Sequence, residues 1–216
     1  IWGAQLEEGT TASPYIKTGS TISGAARYEN GELLLEEGRT NLLTYSEELD
    51  DLSWFGFRRT VTANSLAAPD GTQTADLATS TESNVSGTAI VKSFAEIATT
   101  YTFSVFAKAG TSSTLLLRPT NGTVFNQRAE AWFNLSAGTA GTVGDDGSVF
   151  TNASSQIVSQ GNGWFRCSLT FTVASAGFAA SVRLYVVDSD AALGVTNGAS
   201  LYLWGTQLEA GSFPTS

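Results

Sequence analysis

Aromatic and basic side chains alternate along several segments of this chain, and together they could bind a ligand. The candidates are Lys108, Arg118, Arg128, Trp132, Trp164, Arg166, Arg183 and Tyr185. An exposed aromatic ring can stack on the flat C–H face of a sugar, and a guanidinium can donate two hydrogen bonds to hydroxyl or carboxylate oxygens. If some of these side chains share the outer face of one sheet, we expect that face to hold a neutral or acidic glycan.

The same rings have an alternative role in packing. Trp164 follows a Gly-Asn-Gly turn, so it could cover the edge of a sheet, and Trp132 could lie under a loop. Trp54, with its neighbours Phe55 and Phe57, is expected to plug one end of the fold. For the other two tryptophans and the tyrosine, residue type alone leaves both roles open.

The sequence excludes most kinds of side-chain catalysis. Histidine is absent and there is a single cysteine, which excludes Ser-His-Asp and Cys-His sites and zinc cages of histidine or thiolate. Paired carboxylates, as used in glycoside hydrolysis, remain. The pairs are Glu36-Glu37, Glu47-Glu48, Asp50-Asp51, Asp145-Asp146 and Asp188 with Asp190. Adjacent acids on an extended chain point to opposite faces, which argues against four of these pairs. Asp188 and Asp190 could share a side, but they follow a strand end in a predicted loop. We therefore interpret the acids as solvated turn residues and predict that the chain is not an enzyme.

The charge balance narrows the range of partners. The 216 residues carry a net charge of −9, and only 14% of them are charged. An acidic chain without a cluster of lysine or arginine is unsuited to wrapping nucleic acid. There is no run of about 18 apolar residues, so we predict no membrane-spanning segment. Cys167 alternates with apolar neighbours and is predicted to be a buried thiol.

The elements that must position the candidate residues are strands. Apolar side chains recur at every second position, the spacing of a half-buried strand. This period is found in residues 101–110, 129–135, 163–173, 181–188 and 200–209. Asn-Gly and Asp-Gly turn sequences separate many of the segments. Many short strands without a helical period predict an antiparallel β-sandwich.

One motif occurs twice, near the two ends of the sequence. Trp-Gly-x-Gln-Leu-Glu-x-Gly begins at Trp2 and again at Trp204. After the first copy, Asn30-Gly31 is a pair that favours a tight β-hairpin. We therefore predict an N-terminal extension over residues 1–37, made of the end of a preceding module and a hairpin. The sandwich module is predicted over residues 38–216.

Several longer motifs follow one another from about Arg27 to Ser216: "LLLEEGRTNLLTYSE", "PDG", "YTFSVFAKAG", "GNGWFR" and "WGTQLEAGSFPTS". In this order they resemble a module of phage tail and fibre proteins and of some bacterial polysaccharide-degrading enzymes. In those proteins the last motif closes a module. The resemblance implies that this chain is one unit of a longer, modular protein, located in a virion or outside the cell.

The segments "YTFSVFAKAG" and "LYLWGTQLE" also resemble jelly-roll carbohydrate-binding modules of the xylan- and cellulose-binding kind, which implies a jelly-roll sandwich. Such modules often hold a structural calcium between an acidic residue after the first strand and an aspartate on the last strand. Glu47 or Glu48 could fill the first role. Trp204 and Gly205 stand where the aspartates would be, so a hard oxygen ligand is missing and we expect no cofactor.

Taken together, these features predict a non-catalytic carbohydrate-binding module for a polysaccharide or a cell-surface glycan. Neighbouring modules of the same chain would be further partners, and self-association into a homo-oligomer is left open. The alternative is a structural or decorating virion module that binds protein rather than sugar. Jelly rolls serve as spacers and in assembly as readily as in sugar binding.

Overall fold

The computed structural model describes residues 27–29, 32–34, 39–84 and 86–215, and these fall into two units, Ile1–Arg39 and Thr40–Ser216. In the first unit, β1 (Arg27–Glu29) pairs antiparallel with β2 (Glu32–Leu34). This pairing agrees with the predicted hairpin, although Asn30 and Gly31 themselves lie outside the described residues. The first copy of the repeated motif also lies outside them, and the predicted boundary between residues 37 and 38 stays a prediction.

The second unit is built from strands, and no helix occurs among the residues described. The strands are β3 (Phe55–Phe57), β4 (Arg59–Leu66), β5 (Ala75–Ser80), β6 (Thr88–Phe94), β7 (Thr100–Ala109), β8 (Thr114–Leu117), β9 (Thr120–Asn121), β10 (Ala129–Asn134), β11 (Thr139–Asp145), β12 (Phe150–Gly161), β13 (Trp164–Val173), β14 (Ala180–Val187) and β15 (Ser200–Ala210).

The strands form two antiparallel sheets. Sheet I has the order β11-β10-β8-β14-β6-β3, with β9 paired to β14, and sheet II has the order β12-β13-β7-β15-β5-β4. The pairings are nested: β5 pairs with β15, β6 with β14 and β7 with β13. Successive partners in this nest alternate between the two sheets, which is the jelly-roll arrangement. The predicted all-β, antiparallel sandwich of jelly-roll type is confirmed.

The inner sides of the two sheets form the hydrophobic core. On β7 and β13, Phe103 lies opposite Leu169 and Val105 opposite Cys167, and all four side chains are buried. These are the apolar positions of the period-two pattern, so that pattern correctly identified the inner face. Burial also raises the pKa of the Cys167 thiol, and its prediction as a buried thiol is confirmed.

The segment before β3 is tied to the last strand through one amide side chain. The Asn41 Nδ2 group donates to the carbonyl oxygen of Thr206 at 3.0 Å. Its Oδ1 atom accepts from the backbone N–H groups of Leu43 and Leu208, each at 3.0 Å. Here the pairing of β15 with β7 shifts register, next to Gly205 at φ +58°. Asn41 therefore satisfies backbone groups that this bulge leaves unpaired.

The second copy of the repeated motif is part of this closing strand. The Trp204 indole N–H donates to Thr74 Oγ1 at 2.9 Å, and Gln207 accepts from Arg166. Glu209 is buried and accepts from the backbone N–H of Thr215 at 2.8 Å. The polar residues shared by the two copies thus make structural contacts in the second copy.

We expect Asn41→Ala to destabilise the fold by about 3 kcal/mol, because three backbone hydrogen bonds lose their partner at a part-buried bulge. Urea unfolding followed by tryptophan fluorescence measures this loss. Thr44→Ala is the matched control at a nearby exposed position, and it should change the stability by less than about 0.5 kcal/mol. Equal stability of the two variants would show that Asn41 does not hold the bulge.

Candidate functional site

The predicted candidate residues lie on the outer sides of both sheets rather than on one of them. Arg118, Arg128, Trp132, Arg183 and Tyr185 belong to sheet I or the loops next to it. In contrast, Lys108, Trp164 and Arg166 lie on sheet II. The candidates are therefore divided between two faces, because β7 and β13 pair in sheet II whereas β8, β10 and β14 pair in sheet I, and only those on sheet I can share one face.

The sequence named the three rings as candidate ligand-binding residues with packing as the alternative, and their burial corrects the first of these roles. Trp132, Trp164 and Tyr185 are only 4%, 3% and 5% exposed. The Trp132 indole N–H donates to the carbonyl of Ala192 at 3.3 Å, in the loop after β14. The Trp164 indole N–H donates to the carbonyl of Ala67 at 3.2 Å. Each ring points away from the main core, as the period predicts, but all three are buried. Loop carbonyls accept from the two indole N–H groups, and the Tyr185 hydroxyl accepts from Arg183, which is the alternative role in packing.

On sheet II, the two predicted basic residues hold other parts of the chain. The Arg166 guanidinium lies over the Phe106 ring, 5.2 Å from its centroid, and donates to the carbonyl of Thr215 in the C-terminal segment. Lys108 Nζ donates to the carbonyl of Asn162 at 2.7 Å, in the turn before β13. This face is therefore crossed by the C-terminal segment and by loops.

On sheet I, the three arginines form a connected polar surface. Arg118 and Arg183 exchange backbone hydrogen bonds of 2.9 and 3.1 Å, so their side chains leave the same side of neighbouring strands. The Glu130 carboxylate accepts from Arg118 at 2.6 Å and from Arg128 at 2.7 Å. This carboxylate raises the pKa of the Arg128 guanidinium. Arg118 also lies over the Tyr185 ring, 5.5 Å from its centroid.

Three exposed phenylalanines lie beside this polar surface. Phe125, Phe55 and Phe57 are 59%, 47% and 50% exposed. The Phe125 ring lies over the Arg183 guanidinium, 4.8 Å from centroid to Cζ. Val91 on β6 lies between Phe55 on β3 and Arg183 on β14, so these three residues form one row across the sheet. We name the group of Phe55, Phe57, Phe125, Arg118, Glu130 and Arg183 the sheet I face.

The aromatic members of this face were not among the sequence candidates. Trp54 is buried in the core as expected, but the same prediction is wrong for Phe55 and Phe57. The sequence did contain a signal for Phe55 and Phe57. They alternate with Gly56, and this alternation predicts a short strand with both rings on one face. Phe125 lies in a turn between β9 and β10, where strand periodicity has no meaning.

The described ranges, 39–84 and 86–215, bear on metal clusters and on membrane-spanning helices. No group of three or more His, Cys, Asp or Glu side chains lies close enough there to hold a metal ion. Glu47 and Glu48 are both exposed. No helix in this part of the chain has the length and apolar character needed to span a bilayer.

The fold and the sheet I face define a jelly-roll sandwich with a basic, aromatic outer surface. No family model matches the sequence, and no curated protein matches it either. Solved structures with partial similarity include TmCBM61 in complex with β-1,4-galactotriose, 9% identical with a TM-score of 0.47, covering 80% of this chain and 99% of that one. Another is the CBM22-1 xylan-binding domain of Paenibacillus barcinonensis Xyn10C, 14% identical with a TM-score of 0.45, covering 83% and 99%.

A phage protein is also among the similar structures. The enzymatically active domain of tailspike protein 4 from bacteriophage CBA120 is 11% identical, with a TM-score of 0.44. That match covers 79% of this chain and 21% of the tailspike chain, so this chain spans about a fifth of it. At these identities and TM-scores, the similarities carry no information about the ligand of this chain.

We expect Trp132→Ala to destabilise the protein by about 3 kcal/mol or more, because it removes a buried ring from under a loop. Phe125→Ala is the matched control, an exposed ring on the same side of the same sheet, and it should cost less than about 1 kcal/mol. Thermal and urea unfolding of both variants measure the difference. A Trp132→Ala protein as stable as the wild type would mean that the ring is not a packing element.

Proposed function

We propose that this chain is a non-catalytic module that binds a polysaccharide or cell-surface glycan on the sheet I face. The observation that carries the proposal is the position of three exposed phenylalanine rings around the polar group Arg118–Glu130–Arg183. Phenylalanine rings can cover the apolar C–H face of a sugar, while guanidinium donors and carboxylate acceptors bind its hydroxyls. The sheet I face combines both kinds of contact on one surface.

The polar groups of this face are fixed before any ligand arrives. Arg118 is held by its ion pair with Glu130 and by the Tyr185 ring beneath its guanidinium. Arg183 is held under Phe125. Side chains that are already ordered lose less conformational entropy when they bind a ligand, and this favours affinity. The arrangement therefore suits a site for weakly interacting hydroxyl groups.

We further propose that the module works within a larger phage fibre or carbohydrate-active protein, in a virion or outside the cell. The repeated motif supports this context. Its second copy, from Trp204 to Gly211, lies in the strand that closes the sandwich except for its last residue, which follows the strand. A first copy beginning at Trp2 is the sequence expected of a closing strand of another such module.

The second candidate function is a structural module whose partner is protein. A specific observation favours it: β3 is an edge strand that pairs only with β6 among the described strands, and it carries exposed Phe55 and Phe57. Leu52, just before it, is almost fully exposed. An exposed edge with apolar side chains can add a strand from another chain.

A glycan array distinguishes the two functions. We expect the wild type to bind a defined set of glycans, and Phe125→Ala and Phe55→Ala each to weaken that binding by about tenfold, the contribution of one stacked ring. Phe213→Ala is the matched control, an exposed phenylalanine in the C-terminal segment.

Three results would change this proposal. Binding to no glycan at all would favour the protein-binding alternative. Glycan binding that survives both the Phe125 and Phe55 substitutions would place the site elsewhere. Equal loss in the Phe213→Ala control would point to an effect on folding rather than on the site.

A further inference from the structure

Arg183 differs from its neighbours Arg118 and Arg128 in its partners. Its Nε donates to Ser181 Oγ at 3.5 Å and its Nη1 to Tyr185 Oη at 3.4 Å. Both acceptors are neutral, and both distances lie at the long limit of a hydrogen bond. Among the described residues, no carboxylate forms an ion pair with Arg183 and no acceptor meets its Nη2 group. Within the described part of the chain, its charge is therefore not neutralised by an ion pair, and its outer N–H groups remain available as donors.

The carboxylates of this region lie on the side of Arg128 and Arg118. Glu130 bridges these two guanidiniums, and Asp146, whose backbone N–H donates to the carbonyl of Arg128 at 3.0 Å, also raises the pKa of Arg128. Three guanidiniums therefore meet two carboxylates, which leaves an excess charge of 3 − 2 = +1 located at Arg183. The whole chain carries −9, so this surface has the opposite sign to the protein.

The geometry around Arg183 leaves it open to an oxyanion. Phe125 covers one face of the guanidinium at 4.8 Å and holds it in place. A ring on that face leaves the N–H edge available, and this edge is the part that binds a carboxylate with two parallel hydrogen bonds. Phe55 lies two strands away across Val91, about 10 Å at the usual spacing between strands. A sugar ring bound beside Phe125 can therefore place an acidic substituent at the Arg183 edge.

We infer that the glycan bound by this module is anionic, and that Arg183 binds its acidic group, a carboxylate or a sulfate. This inference rests on the proposed function and adds the class of sugar and the residue that selects it. The Arg118–Glu130–Arg128 group, whose charges are compensated once Asp146 is counted with it, contacts the hydroxyls. Arg183 provides the preference for charge.

The test begins with an array that carries neutral, uronate-bearing, sialylated and sulfated glycans, so that the source of the anion is distinguished. The bound acidic glycan is then compared by calorimetry with its methyl ester, or with its desulfated form. We expect the acidic form to bind roughly tenfold to hundredfold more tightly, the factor that a charge-assisted hydrogen bond contributes. The difference should shrink as ionic strength rises.

Substitutions assign the preference to Arg183. Arg183→Gln should remove the difference between the acidic and neutralised glycans, while Arg183→Lys, which keeps the charge but loses the paired donors, should keep part of it. Lys108→Gln is the matched control, because it removes one positive charge on sheet II. It should leave the preference unchanged.

The possible failures are distinguishable. If only neutral glycans bind, and Phe125→Ala weakens them, the proposed function stands and the anion inference is overturned. If the acidic preference persists in Arg183→Gln, Arg183 is not the selecting residue. If no glycan binds, both proposals fall together. Unfolding curves of each variant show whether a lost preference comes from lost folding.

Discussion

The last strand closes this sandwich by pairing along both of its edges. β15 lies between β7 and β5 in sheet II, and its inward side chains Leu201, Leu203 and Leu208 complete the core. Its bulge is held by Asn41 from the other end of the unit. The two ends of a jelly roll must meet in this way, because each nested pair of strands brings together early and late parts of the sequence. The motif Trp-Gly-x-Gln-Leu-Glu contains the residues that make this closure possible.

The closure also determines which outer surface is covered. The C-terminal segment continues from β15 across sheet II, where it is bonded to Arg166 and Glu209. The loop after β14 covers only the part of sheet I around Trp132 and Tyr185. The region from Arg183 to Phe55 is left with exposed rings. The candidate site thus lies on the part of the outer surface that neither the C-terminal segment nor the loop after β14 covers.

Much of the fold could be predicted from the sequence, because the period of two decides which side chains face the core. Val105 and Cys167 are inside for this reason. The same period correctly placed the Trp132 and Tyr185 side chains on the outer side of their sheet. A side chain on the outer side can still be buried, as both of these are. Whether a loop covers a ring depends on contacts such as Trp132 with Ala192, 60 residues apart, which local patterns do not encode.

The candidate site was harder to predict for two physical reasons. The chain passes from sheet I to sheet II between β11 and β12, so Trp132 on β10 and Trp164 on β13 have similar sequence surroundings but lie on different sheets. Phe125 lies in a turn, where its contact with Arg183 comes from the tertiary fold alone. The arginines were identified as candidates because they alternate with aromatic residues along the predicted strands. Their division into compensated and uncompensated groups required the position of Glu130.

The most direct measurement is NMR chemical-shift mapping of the backbone and aromatic rings while a glycan selected on the array is titrated in. We predict that the largest shifts fall on β3, β14 and the turn that carries Phe125, with small shifts along β7, β13 and β15. Shifts concentrated around Trp164 and Arg166 on sheet II would contradict the account, since they would place the ligand on the surface that the C-terminal segment crosses.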